Sequence, residues 1–160
     1  MTSTLDQAEY SRQLPVIEAK LMAVASLRIG GHPQPIASAV KEIFIELFGA
    51  HRSSRERAQF LLFIAPVMRR ITIEAGRRGR ATNTINLNTV ELEQWLARLE
   101  GFDAECARMI DLRYFVGLST RETAAALGLS PRAVIRDLRF AKAWLQARVR
   151  WLGNTRKPEE

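Results

Sequence analysis

Cysteine and histidine are nearly missing from this 160-residue chain, which has one Cys and two His. A lone Cys106 can form no internal disulfide, and its expected role is that of a small buried apolar residue. His32 and His51 stand apart in loop-like sequence, so no Cys/His group has metal-ligand spacing. No second titratable group sits near either at a spacing suited to general acid–base work. These absences argue against an enzyme and against any cofactor. Long apolar runs are also missing. The longest, residues 60–68, falls far short of the ~20 residues a membrane span needs. The N-terminus lacks the basic-then-apolar order of a secretory signal. A cytoplasmic protein with no membrane partner is the resulting expectation.

What the chain does have is positive charge. Its formal net charge is +7 and its pI about 10.5, a balance that favours a polyanionic partner, nucleic acid before a membrane surface. The charge is grouped. Residues 51–80 carry eight Arg against Glu56 and Glu74, and residues 107–157 carry eleven Lys/Arg against Asp111, Glu122 and Asp137. The interval 81–106 holds one Arg and five acids. Two basic blocks around an acidic interval imply two DNA-facing surfaces on two units.

Nearly every segment repeats at helical period, so the expected fold is all-α: two small helical domains joined by a flexible linker. Residues 5–27 form a first helix, with Pro15 at a start or a kink. In 34–48, Ile36, Val40, Ile43, Phe44, Leu47 and Phe48 share one stripe, while Ile45 falls on the opposite face near Ser38, Lys41 and Glu42. An apolar spot ringed by charge is what a docking helix shows. Residues 49–57 read as a loop and 56–78 as a long helix that Pro66 should bend. The Asn/Thr-rich stretch 81–89 reads as the linker. The domains are therefore 1–80 and 90–152, followed by a tail at 153–160. In the second, Leu92, Trp95, Leu96 and Leu99 make a buried face that Gly101 ends. Asp103 caps the next helix, which runs to about Val116.

The most specific pattern follows. Ser119 and Glu122 form a capping box; Ala124, Ala125 and Ala126 give a small-residue face; Gly128 supplies a left-handed turn. Ser130-Pro131 then opens another helix, buried along Val134, Leu138, Ala141 and Leu145. This is the grammar of a helix-turn-helix. Its recognition helix would aim Ser130, Arg132, Ala133, Arg136, Arg139 and Phe140 at base edges and phosphates in a major groove. Lys142, Arg148 and Arg150 lie further along and suit backbone contact.

Residues 104–148 (AECARMIDLRYFVGLSTRETAAALGLSPRAVIRDLRFAKAWLQAR) resemble region 4 of the extracytoplasmic-function (ECF) sigma factors of the sigma-70 family, more narrowly an ECF-like subgroup. The resemblance implies binding to the minus-thirty-five promoter element and to the beta flap of core RNA polymerase. Residues 34–80 resemble region 2 less closely. There the resemblance assigns contact with the polymerase beta-prime clamp to Glu42, Ile45 and Glu46. It assigns minus-ten strand or phosphate contact to Arg69, Arg70, Arg77, Arg78 and Arg80, with the nearby ring of Phe60 suited to unstacked bases. Ser38 stands where relatives carry an acid. It is thus a candidate phosphorylation site, and a kinase or an anti-sigma factor joins the partners that the resemblance brings in. Ile135 replaces a residue that relatives often have as basic. Two other classes fit the same residues: a helix-turn-helix regulator that never engages polymerase, and a pure interaction protein that binds polymerase or an anti-sigma partner.

Overall fold

The computed structural model describes residues 5–29, 36–79 and 89–148, except for the side chains of 27–29, 76–79 and 89–91. Within these residues every element is helical. The first half comprises α1 (Gln7–Arg12), α2 (Leu14–Ile29), α3 (Ile36–Phe48) and α4 (Ser54–Gly79). The second comprises α5 (Thr89–Phe102), α6 (Ala104–Ile110), a π-helical segment (Asp111–Val116), α7 (Thr120–Leu127) and α8 (Pro131–Gln146).

Local chemistry sets most of these boundaries. Asp6 caps α1 by accepting from the Glu9 amide at 2.9 Å. The chain breaks at Gln13, so Pro15 falls in the first turn of α2, where its missing N–H costs nothing. Helix α4 starts earlier than its hydrophobic pattern predicts because Ser53 and Glu56 form a second capping box. The Glu56 amide donates to Ser53 Oγ, and the Ser53 amide donates to Glu56 Oε1, each at 3.1 Å. Glu56 also accepts from the Leu5 amide at 2.9 Å, and Tyr10 donates to its carbonyl at 2.9 Å. One residue thereby ties α1 to the start of α4. The backbone donors of Leu5 and Ser53 hold its carboxyl below the usual carboxylate range. Pro66 lies inside α4, which continues through it to Gly79. Likewise α5 continues through Gly101 to Phe102, with only Asp103 between it and α6.

The core of the first half is aromatic. Tyr10, Phe44, Phe48 and Phe60 meet with ring centroids 5.0–5.9 Å apart. Phe60 is 1% exposed, so the ring expected to face unstacked bases is a core residue instead. Ile45, by contrast, lies outward as its helical angle predicts, 45% exposed.

The two expected units do not stand apart. Helix α4 packs along α2 on one side and on the π-helical segment and α7 on the other, and α3 also meets the π-helical segment. The hydrophobic core runs without interruption from Ile17 and Met68 to Leu112, Phe115 and Leu145. The physical reason is that both halves carry apolar surface beyond what each buries alone, and joining them removes it from water. Most of the expected linker, residues 81–88, lies outside the described residues.

Candidate nucleic-acid interface

The π-helical segment Asp111–Val116 ends in Gly117, whose φ of +86° turns the chain toward α7. Ser119 then starts α7 with both arms of the capping box in place. The Glu122 amide donates to Ser119 Oγ and the Ser119 amide to Glu122 Oε1, each at 3.1 Å. At its other end α7 closes in a Schellman motif. The Leu129 amide donates to the Ala124 carbonyl at 2.9 Å and the Gly128 amide to that of Ala125 at 3.4 Å. Gly128 has φ +69°, and no atom lies within 4 Å of where its Cβ would be. Any cost of substitution there is therefore backbone strain. Gly128→Ala should lower the unfolding free energy by about 1–2 kcal/mol, measurable by urea denaturation, without blocking the fold.

Ser130 caps α8 through an Oγ that accepts from the Ala133 amide at 3.1 Å, with Pro131 in the first turn. Val134, Leu138, Ala141 and Leu145 are buried along one stripe, as their spacing predicts. The opposite stripe is solvent-facing. Arg132, Arg136 and Arg139 are exposed, Phe140 is half-exposed, and Ala133 is partly buried between them. Together with Ser130 and Ile135, the three Arg line a shallow concavity. Arg136 is oriented by its neighbour Asp137, with Nε to Oδ1 3.1 Å, and leaves its remaining guanidinium donors outward. The structure thus brings all six residues expected at the minus-thirty-five element onto one helix end and its outer face.

The residues expected at the minus-ten element have a different fate. Arg69 points into the molecule. Its Nη1 reaches both carboxylate oxygens of Asp111 at 3.1 Å, and its Nη2 lies 3.8 Å from Glu100. Arg69 is only 16% exposed at the side chain and Asp111 3%, so the pair is buried. In this arrangement Arg69 is occupied by a carboxylate rather than open to DNA. Burial pushes the Asp111 carboxyl up to about 7, with Arg69 acting against that rise and Glu100 adding to it. Arg70 is exposed and pairs with Glu18 at 2.6 Å. Arg77 and Arg78 lie in the last turn of α4, with side chains outside the described set. Arg80 is outside it altogether.

On α3, Ser38, Glu42, Ile45 and Glu46 are all exposed, as their expected roles require, and Glu46 pairs with Lys20 of α2 at 2.7 Å. Between Glu42 and Ser38, Lys41 forms an ion pair with Glu122 of α7. That bond, with the Ser119 amide, holds the Glu122 carboxyl below the usual range. Cys106 is buried and its Sγ lies 3.2 Å from Asp103 Oδ2; burial, with that hydrogen bond, pushes the thiol up to about 12, which disfavours the thiolate. Among the described residues no His, Cys, Asp and Glu cluster could hold a metal ion. Nor is any helix there long and apolar enough to cross a membrane.

Sequence reading missed three things here: the buried Arg69–Asp111 pair, the Lys41–Glu122 bridge, and a cluster at the end of α8. In that cluster Phe102 stacks on Trp144, and Arg148 lies 4.1 Å from the Trp144 ring centroid. Only the Ser53/Glu56 box, outside this surface, had a local signal that could have been used.

Residues 82–151 match the model of a family described as ECF sigma factor. No curated protein and no solved structure matched the chain.

Proposed function

We propose that the chain, whose residues 82–151 match the ECF sigma factor family, is a sigma factor of that type in transcription initiation, binding core RNA polymerase and directing it to specific promoters. The α7–α8 helix-turn-helix reads the minus-thirty-five element, and the Arg-bearing C-terminal half of α4 engages the minus-ten element. The outer face of α3, around Glu42, Ile45 and Glu46, docks on the polymerase clamp. The observation that carries this reading is the capped end of α8, which presents Arg132, Arg136 and Arg139 together with no buried role to explain them. A helix entering the major groove by its N-terminal turns needs that arrangement, since Arg can bond bidentately to guanine.

Run-off transcription with purified core polymerase tests the proposal. A promoter-specific transcript should appear only when this protein is added; duplex binding without any transcript would instead make it a regulator. Arg77→Ala combined with Arg78→Ala should reduce permanganate reactivity of the minus-ten thymines several-fold while changing duplex affinity little. An unchanged footprint would remove those two residues from strand opening.

A further inference from the structure

We propose that Ile135 reads a base: its exposed side chain packs on the 5-methyl group of one thymine in the duplex that α8 enters, and so fixes a T·A pair there. This rests on the promoter-binding reading above.

Ile135 is one of the few large apolar side chains that the described residues leave in water, 45% exposed. A single exposed Ile needs no explanation by itself, but its surroundings give it one. It lies in the concavity that Ser130, Arg132, Ala133, Arg136 and Arg139 line, so three guanidinium groups ring it. At helical period it shares a stripe with Arg132, three residues before it, and Arg139, four after it. Both of these are exposed. Phe140, the other large apolar side chain exposed on α8, falls about 140° away around the helix. Val134, Leu138, Ala141 and Leu145 bury the inner face of α8 without any part played by Ile135. Packing within the chain therefore does not account for an aliphatic side chain in the middle of a cationic face.

The major groove selects the partner. Base edges there offer ring nitrogens and carbonyl oxygens as acceptors, amino groups as donors, and one apolar group, the thymine methyl. Against any of the polar groups a branched aliphatic side chain would displace water and return no hydrogen bond. Against the methyl it removes apolar surface from water on both sides. Arg132 and Arg139, on either side along the helix, hold that contact in register through phosphate or guanine. One helical turn rises about 5.4 Å and one base-pair step about 3.4 Å, so the thymine falls within about two base pairs of any base that either Arg reads. Burying one methyl group corresponds to about a fourfold change in affinity.

Uracil pairs as thymine does and lacks only that methyl, so it isolates the contact. The probe is a short duplex recovered from a random pool by the full chain, with each thymine replaced in turn by uracil and binding read by fluorescence anisotropy. At one thymine the replacement should weaken wild-type binding about fourfold. Ile135 is exposed and Ala favours a helix, so Ile135→Ala keeps the fold, which circular dichroism verifies. That variant should bind the thymine duplex severalfold more weakly and should lose the uracil penalty. With the T·A pair exchanged for C·G, 5-methylcytosine in place of cytosine should regain about fourfold in the wild type and nothing in Ile135→Ala. Recovered duplexes with no shared thymine, no thymine sensitive to uracil, or a penalty that persists in Ile135→Ala would each overturn the proposal. The helix-turn-helix reading would survive those results, because Arg132→Ala and Arg136→Ala judge it on the same duplex. A pool that yields no preferred sequence would take down both.

Discussion

Replacing Arg69 with Met is expected to lower the unfolding free energy by about 3 kcal/mol at pH 8.5, and by much less at pH 5. Met keeps most of the aliphatic volume, so the loss isolates the charge. Removing one member of a buried pair leaves the other as an uncompensated buried ion, typically a 3–5 kcal/mol loss. Asp111 has an escape, because it can take up a proton. Its folded-state value of about 7 lies above the ordinary 3.8, with burial the main cause. The folded protein thus holds this proton more tightly than the unfolded chain does. The stability contributed by Asp111 is complete below about pH 4 and is lost as pH rises through about 7, at most about 4 kcal/mol for a shift of this size. Without Arg69 the carboxyl moves higher still. The gap between variant and wild type therefore widens as pH rises above 7.

Urea titrations of both proteins from pH 5 to 9 would show that widening, and a pH-independent difference would mean that Arg69 acts by packing alone. Glu56 and Glu122 run the other way. Their lowered carboxyls stabilise above the ordinary range, and that contribution is lost as pH falls through their folded-state values. Asp111→Asn should remove the neutral-side slope and leave the acid side as it was.

The contrast between the two halves shows what a sequence can tell. The caps and turn that join α7 to α8 were legible because every signal for them is local. Ser119 and Glu122 are three residues apart, Gly128 is the residue whose φ must be positive, and Ser130-Pro131 can only open a helix. The burial stripe of α8 follows from period alone, and so does the outward position of Ile45. The buried Arg69–Asp111 pair was not legible, because nothing near Asp111 in sequence distinguishes it from a surface carboxylate. Its burial depends on where the π-helical turn sets it and on Arg69, 42 residues earlier, arriving from another helix. The same holds for Phe60. An aromatic beside a run of Arg looks like a base-stacking platform until Tyr10, Phe44 and Phe48 close around it. Charge blocks along the chain suggest two separate surfaces, whereas Arg69 and Asp111 pair with each other across the fold.

The second large effect belongs to the recognition helix. Arg132→Ala with Arg136→Ala should weaken binding to the minus-thirty-five duplex by about 2–6 kcal/mol, roughly thirtyfold or more, while leaving stability nearly unchanged. Each Arg facing a base edge is worth about 1–3 kcal/mol, and both side chains are exposed, so their removal leaves no buried group unpaired. The single variants separate their roles. An Arg bonded to a guanine edge should lose affinity for the cognate site and, in Arg136→Ala, relax preference at one or two base pairs. An Arg bonded to phosphate should lose affinity equally on random DNA and reduce the salt slope by about one unit. Arg136 is the better candidate for base contact. Its Nε bond to Asp137 fixes the guanidinium plane, which favours a bidentate approach, and leaves the outer nitrogens to donate. Fluorescence anisotropy on cognate and scrambled duplexes across a salt series would measure both effects. Equal losses for Arg136→Ala on the two duplexes would move the reading of sequence elsewhere along α8, with Arg139 and Phe140 next on the exposed face.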